Sequence, residues 1–200
     1  AEYGCYSPDD RFLAIAPMCH GAGMVFALAA LYFGGYTQLM SRFDPEAVLQ
    51  ALRDDEISGV FMVPTHFHGI FELDDGALAD NYYPSLNTII SNAAPLSQNL
   101  KERIVEHFGG DLLHETYGST EASIVSNLRP VDQLNKKKCV GLPFNSTLIK
   151  ILDEDGKERA ANEVGELYTN SLYSFNGYWR NPQETEAAFK DGWVTVGDLA

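Results

Sequence analysis

The chain reads as an α/β protein: a mostly parallel sheet flanked by helices, followed by a smaller β-rich subdomain. Three observations predict this. From Arg11 to Thr116, short apolar runs alternate with segments of helical periodicity, the pattern of a sheet covered on both faces. The pairs Gly34-Gly35 and Gly109-Gly110 fall where helices should stop. After about Asn127 the texture changes to short strands joined by turns such as Asp155-Gly156. The expected domains are therefore 1–127, α/β, and 128–200, β-rich.

Each element has its own reason. Arg11 to Ala16 is an apolar run bounded by Pro17, hence a buried strand. Met24 to Phe33 is apolar throughout and reads as a buried helix, stopped by Gly34-Gly35. Tyr36 to Met40 is the next strand. Asp44-Pro45 opens a helix, with Asp as N-cap and Pro at the first position, and Ala47, Val48, Ala51 and Leu52 form its apolar face. Gly59 to Val63 is a strand and Pro64 to Leu73 a helix. Asp74 to Pro84 reads as a polar, acidic loop. Leu86 to Ile90 is a strand. Leu96 to Phe108 is the clearest helix, because Leu100, Ile104, Val105 and Phe108 share a face. Leu112 to Thr116 is a fifth strand.

Beyond it, Val140 to Pro143, Thr147 to Asp153 and Gly165 to Thr169 are short strands. Asn181-Pro182-Gln183-Glu184 starts the last helix with a cap, a Pro and an acidic third residue.

Composition narrows the function. With 200 residues, 45% hydrophobic, the chain can bury a real core. Asp+Glu is 28 against Lys+Arg 14, a formal net charge of -14. Such a chain repels nucleic acid and anionic membrane surfaces, so neither is an expected partner. Three cysteines, Cys5, Cys19 and Cys139, are widely spaced and form no CxxC, which points to a reduced, cytoplasmic setting. The longest apolar run, Met24 to Phe33, is about half of the roughly 20 residues a membrane-spanning helix needs. No signal peptide is visible. Both ends fall inside ordinary globular sequence, so the chain is expected to be cut from a longer one.

The stretch His114-Glu115-Thr116-Tyr117-Gly118-Ser119-Thr120-Glu121 concentrates the chemistry. The Tyr117 ring can stack on a base. Gly118 has no Cβ and lets backbone approach a ligand. Ser119 and Thr120 can donate to phosphate oxygens. Glu121 offers a hard oxygen to Mg²⁺, which is usually held by one or two carboxylates and the substrate's phosphates. Glu115 and Thr116 belong to the same expected nucleotide-binding stretch. The plain alternative is a strand-end turn with a solvated glutamate. In an open α/β sheet, ligands sit beyond the carboxyl ends of the strands. Pro17 to Gly23, Ser91 to Pro95 and Tyr117 to Glu121 all follow strands in that way. Val196-Gly197-Asp198 is a fourth turn, whose Asp can accept two hydrogen bonds from a ribose diol.

Tyr117-Gly118-Ser119-Thr120-Glu121, followed by Gly165-Glu166-Leu167, Gly177-Tyr178-Trp179 and Gly197-Asp198-Leu199, resembles the adenylate-forming, or AMP-binding, enzyme superfamily. The likeness is greatest to its acyl-CoA synthetase, 4-coumarate–CoA ligase and luciferase branch. It runs over nearly the whole chain, and corresponds to the middle part of that superfamily's large N-terminal domain. The resemblance implies a ligase with ATP, Mg²⁺ and CoA as cofactor or co-substrates, acting on a small-molecule carboxylic acid in fatty or aryl acid metabolism. The acid attacks the α-phosphate of ATP, giving an acyl adenylate and pyrophosphate. The CoA thiol then displaces AMP.

By the same resemblance, Tyr117 stacks on adenine, Thr120 binds phosphate, Glu121 holds Mg²⁺ and Asp198 binds the ribose. Ala93-Ala94-Pro95 forms a loop beside adenine and the acyl chain, and His20 lines or gates the carboxylate pocket. The chain departs from the family pattern at Asn92-Ala93-Ala94, where Gly-Gly-Ala is usual, and at Val196, where Thr is usual. The family's phosphate loop with its Lys, and its C-terminal domain with the catalytic Lys, lie outside these residues, so the isolated chain is expected to be inactive. Two other readings stand beside it. An amino-acid-activating module of a peptide synthetase would need an acidic partner for the ammonium near Pro17 to Gly23, where none occurs. A nucleotide-binding fragment without catalysis is the other.

Remaining candidates take plainer readings. His66 and His68 are two apart, on opposite sides of a helix, and do not make a metal site. His107 and His114 are read as surface and strand-end residues. Asp153 to Lys157 is a hairpin turn rather than a calcium loop, and Cys19 is read as a buried thiol.

Overall fold

A computed structural model describes residues 6–200; Cys5 lies outside the described residues. The fold is mixed α/β. By contact the chain divides into two compact units. One runs to Thr116 and adds Leu128–Gly141; the other comprises Tyr117–Asn127 and Leu142–Ala200.

The first unit begins with β1 (Arg11–Ala14), α1 (Gly21–Tyr32), β2 (Tyr36–Leu39), α2 (Pro45–Asp54) and β3 (Gly59–Met62). It continues with α3 (Pro64–Phe71), α4 (Asp75–Ala79), β4 (Thr88–Ser91), α5 (Gln98–Phe108) and β5 (Leu113–Ser119), which runs on into the second unit. Strands β2, β1, β3, β4 and β5 lie side by side in that order, every pair parallel. Parallel neighbours point their carboxyl ends to one edge, so the loops after β1 and β4 share an edge, as the turn argument requires. The core is built by Leu13, Val60, Met62, Ile89 and Leu113 from the strands, against Val48, Leu52, Leu100 and Ile104 from the helices. Phe26 of α1 stacks on Phe12 and Phe61 at 6.3 and 5.2 Å.

Local signals account for the helix ends. The Asp44 side chain accepts from the Ala47 amide at 3.1 Å, and Ser97 accepts from the Leu100 amide at 3.3 Å. Helix α5 therefore starts after Ser97 rather than at Leu96. Gly34, at φ +86°, ends α1 in the left-handed conformation expected of it.

Several expectations are corrected. Helix α1 is not buried all round. Gly23, Phe26, Ala27 and Ala30 are buried, while Val25, Leu28 and Leu31 are half-exposed and Tyr32 is 85% exposed. A run that is apolar on every side carries no periodicity to tell its faces apart. The acidic loop contains α4, because the Asp74 carboxylate accepts from the Ala77 amide at 2.9 Å and nucleates a turn. Leu49 joins the buried face of α2. Cys19 is exposed. His114 is buried in β5, and His107 meets the Tyr83 hydroxyl at 2.7 Å against the Phe71 and Phe108 rings.

The second unit holds the end of β5, then β6 (Ser123–Leu128) and β7 (Leu142–Pro143). β6 pairs antiparallel with β7 and completes a seven-stranded sheet in the order β2-β1-β3-β4-β5-β6-β7. A separate antiparallel sheet has the order β10-β11-β9-β8, formed by β8 (Thr147–Leu152), β9 (Glu166–Ser171), β10 (Phe189–Lys190) and β11 (Trp193–Val194). The last helix, α6 (Pro182–Ala188), is capped by Asn181, whose side chain accepts from the Glu184 amide at 3.3 Å. Ala122, Val125, Leu167 and Val194 form this unit's small core. Strands β6, β10 and β11 are absent from the sequence expectation; the last two are only two residues long.

Candidate functional site

The expected site residues divide between the two units. In the first, the loop after β4 is presented with its tip in solvent and its ends anchored. Ala93, Ala94 and Pro95 are exposed, whereas Ser91 and Leu96 on either side are buried. Two consecutive residues of β5 hold the ends. The Asn92 amide donates to the Thr116 hydroxyl at 2.8 Å, and that hydroxyl donates to the Ser91 carbonyl at 3.3 Å. Glu115 Oε1 accepts from the Leu96 amide at 2.9 Å. Its other oxygen is paired with the Lys101 ammonium of α5. Both partners are almost fully buried, Lys101 at 3% and Glu115 at 4% exposure. Ala93 adopts φ +78°, a conformation glycine adopts freely.

His20 is exposed and sits at the N-cap of α1, where its side chain makes no cap hydrogen bond.

In the second unit, β5 continues straight through Tyr117-Gly118-Ser119, so half of the expected turn is strand; the reversal comes at Thr120–Ala122. Gly118 is needed there for the chain itself: a Cβ on it would stand 2.0 Å from the Ser123 carbonyl oxygen and 3.0 Å from Ile124 Cα. The Ser119 hydroxyl accepts from the Ala122 amide at 3.0 Å and closes the reversal. Thr120 is exposed at its tip.

Two long-range contacts fix the Tyr117 and Glu121 side chains. The Tyr117 hydroxyl donates to Asp198 Oδ2 at 2.5 Å, across 81 residues. Burial and this hydrogen bond push the Tyr117 phenol far above its ordinary range, so it stays a donor. The Tyr178 hydroxyl donates to Glu121 Oε1 at 2.6 Å, and the Phe175 amide donates to the Glu121 carbonyl at 2.8 Å. The Tyr178 hydrogen bond, helped by Ser119, holds the Glu121 carboxyl below its usual range against the opposing effect of burial. Tyr178 itself is placed by its backbone amide on the Thr185 hydroxyl at 2.9 Å and by an edge contact to Phe175. An aromatic ring and two carboxylates, those of Asp198 and Glu121, are thereby set on one small unit.

Sequence reasoning missed Lys101 and the partnership of Tyr178 with Glu121. Lys101 carried a signal: it falls on the apolar stripe with Ile104 and Phe108, where a charge needs a buried partner. Tyr178 stood in a noted motif, but nothing local ties it to Glu121, 57 residues away. A cavity of about 280 Å³ on the antiparallel sheet, lined by Lys150, Tyr168, Lys190 and Trp193, contains none of the motif residues. Among the described residues no group of three or more His, Cys, Asp or Glu is placed to hold a metal, and no helix is long and apolar enough to cross a membrane. A Mg²⁺ carried on substrate phosphates needs only one or two protein carboxylates, and the charged Glu121 fits that requirement.

A family model described as AMP-binding enzyme matches residues 1–179. The chain is 34% identical over 197 residues to luciferin 4-monooxygenase of Photinus pyralis, covering 96% of this chain and 35% of that protein. It is 30% identical over 194 residues to the medium/long-chain-fatty-acid–CoA ligase FadD8 of Mycobacterium tuberculosis, covering 96% and 33%. Among solved structures, it superposes on the amide bond synthetase McbA of Marinactinospora thermotolerans with a TM-score of 0.88 and 28% identity, over 98% of this chain and 40% of that one. The O-succinylbenzoate coenzyme A synthetase MenE of Bacillus subtilis, in complex with ATP and magnesium ion, gives 0.87 and 26%, over 99% and 40%. The chain spans about a third of the length of the curated relatives it matches.

Proposed function

The chain belongs to the AMP-binding enzyme family, and from that premise we propose that it contributes the nucleotide-holding residues of an ATP-dependent carboxylic acid–CoA ligase. The observation that carries this reading is the Tyr117–Asp198 hydrogen bond. It joins an aromatic ring suited to stacking on adenine to a carboxylate suited to a ribose diol. Both belong to motifs the superfamily shares, and both lie in one compact unit.

In the proposed reaction a substrate carboxylate oxygen attacks the α-phosphorus of ATP. The bond to the bridging oxygen of pyrophosphate breaks, and pyrophosphate leaves. In the second step the CoA thiol loses its proton to solvent, its sulfur attacks the acyl carbon, the acyl carbon–oxygen bond breaks, and AMP departs with that oxygen on its phosphate. No side-chain nucleophile is required, because such transfer rests on positioning and charge stabilisation. Thr120, exposed at the tip of the reversal, donates to phosphate. Glu121, kept charged by Tyr178, is the carboxylate for Mg²⁺, which would neutralise phosphate charge when bound. His20 borders the acid's carboxylate. Ala93-Ala94-Pro95 flanks adenine and the acyl chain. An apolar fatty or aryl acid is the proposed substrate, in keeping with the name of the medium/long-chain-fatty-acid–CoA ligase relative. ATP and CoA as substrates fit a cytoplasmic enzyme.

The test is ATP–pyrophosphate exchange with a panel of fatty and aromatic acids, run on this chain and on the same chain extended to the length of its relatives. Exchange by the extended protein alone is the expected result, and it names the acid. Silence in both, with ATP still bound, would favour a nucleotide-binding protein without catalysis.

A further inference from the structure

Glu115 lies inside the motif that carries the nucleotide chemistry, yet its surroundings are those of an internal strut. Both its oxygens are engaged within the first unit, one by the Leu96 amide and one by Lys101. It is 4% exposed. The Leu96 amide is the first backbone donor after the exposed Ala93-Ala94-Pro95 tip and stands just before the Ser97 cap of α5. Lys101 follows one turn into α5, its own amide bonded to the Ser97 carbonyl at 3.0 Å. One carboxylate thus fastens the exit of the loop and the first turn of the helix to β5, while Thr116 beside it fastens the entry. The arrangement depends on charge. A buried carboxylate without the ammonium, or the ammonium without the carboxylate, would be an uncompensated ion in the interior.

We infer that Glu115 and Lys101 form a buried positioning pair that sets the Asn92–Leu96 loop, rather than a nucleotide contact. The inference rests on the proposed function for what the loop does, but not for the pair itself. Ala93 is held at φ +78° without the freedom of glycine. Its amide donates to the Asn92 carboxamide oxygen within the loop, and the two anchored ends hold the rest.

The test compares Glu115→Gln, Lys101→Met and the double variant. Glutamine can still accept from Leu96, and methionine replaces the ammonium with an apolar end of similar length, so the double variant buries no charge where each single one strands one. Amide hydrogen exchange over residues 91–100 should rise about tenfold in each single variant and return to within about threefold of the parent in the double. Exchange over β8 and β9 should rise less than exchange over residues 91–100. In the extended protein the single variants should raise KM for the acid and for ATP about tenfold with kcat within about threefold, again rescued in the double. Unchanged loop exchange in the single variants would overturn the anchor. Rescued loop exchange with unrescued KM would return Glu115 to direct ligand contact. A parent enzyme silent toward every acid would sink the proposed function, while the hydrogen-exchange result would still decide the pair.

Discussion

Glu115 and Glu121 stand six residues apart and are held in opposite ways. Glu115 is sealed between a strand and a helix, with an ammonium on one oxygen and a backbone amide on the other. Glu121 is half-buried, kept charged by a phenol hydroxyl that is itself largely exposed. The first position spends its charge on structure. The second keeps a charge that an incoming cation can share, because exchanging a neutral hydroxyl partner for a metal costs far less than breaking an ion pair in the interior. One short motif therefore carries a carboxylate sealed by an ion pair and one held only by a hydroxyl, and only their partners tell them apart.

The largest expected effect breaks the first side of that contrast. Lys101→Met should destabilise the chain by about 3–5 kcal/mol, since it leaves a buried carboxylate unpaired, and urea unfolding measures it. If the double variant with Glu115→Gln proves as unstable as the single one, charge is not what the pair supplies. Next comes the functional side. Glu121→Gln should lower ATP–pyrophosphate exchange in the extended protein by about 10²–10³-fold. Its stability cost should stay under about 1 kcal/mol, because the group is partly solvated. An unchanged rate at limiting Mg²⁺ would remove Glu121 from the metal role.

A smaller effect sharpens the picture of the loop that Glu115 anchors. Ala93→Gly should stabilise the chain by about 0.5–1 kcal/mol, because it relieves a left-handed conformation at an exposed site with no packing to lose. A loss of stability instead would show that the Ala93 methyl makes a contact worth more than the strain.

The smallest effect is a pH dependence at Glu121. Its carboxyl is held below the ordinary value of 4.5 in the folded chain, first by Tyr178. The associated stabilisation is present above that value and is lost as pH falls through the folded one. Tyr178→Phe should therefore lower the urea midpoint slightly at neutral pH, with the difference from the parent shrinking as pH falls below the ordinary carboxylate value and the folded carboxyl is protonated. A difference that persists undiminished in acid would assign the Tyr178 contribution to packing on Phe175.

Much of the fold was legible because it is written locally. Asp44 and Asn181 announce helix starts through side chains that reach amides three residues on. Gly34 announces a stop through a positive φ. The alternation of β1 through β5 with helices implied parallel pairing, and each of those pairs is parallel. The motif residues from Tyr117 to Glu121 were visible as a composition no core strand needs. The roles within the motif were less so. Gly118 looked like room for a ligand, and its missing Cβ makes room for the Ser123 carbonyl.

What the sequence by itself determined is the order of the elements, the caps that bound them and the membership of the motifs. These depend on interactions within a few residues, which a linear chain carries wherever it goes. Only the tertiary structure decided which side of α1 is buried, that Cys19 is exposed, that Lys101 finds Glu115, and that Tyr178 finds Glu121. Those outcomes turn on what packs beside each residue. A buried charge or an apolar helix face has no meaning until the neighbouring strand or loop supplies its partner or leaves it to water.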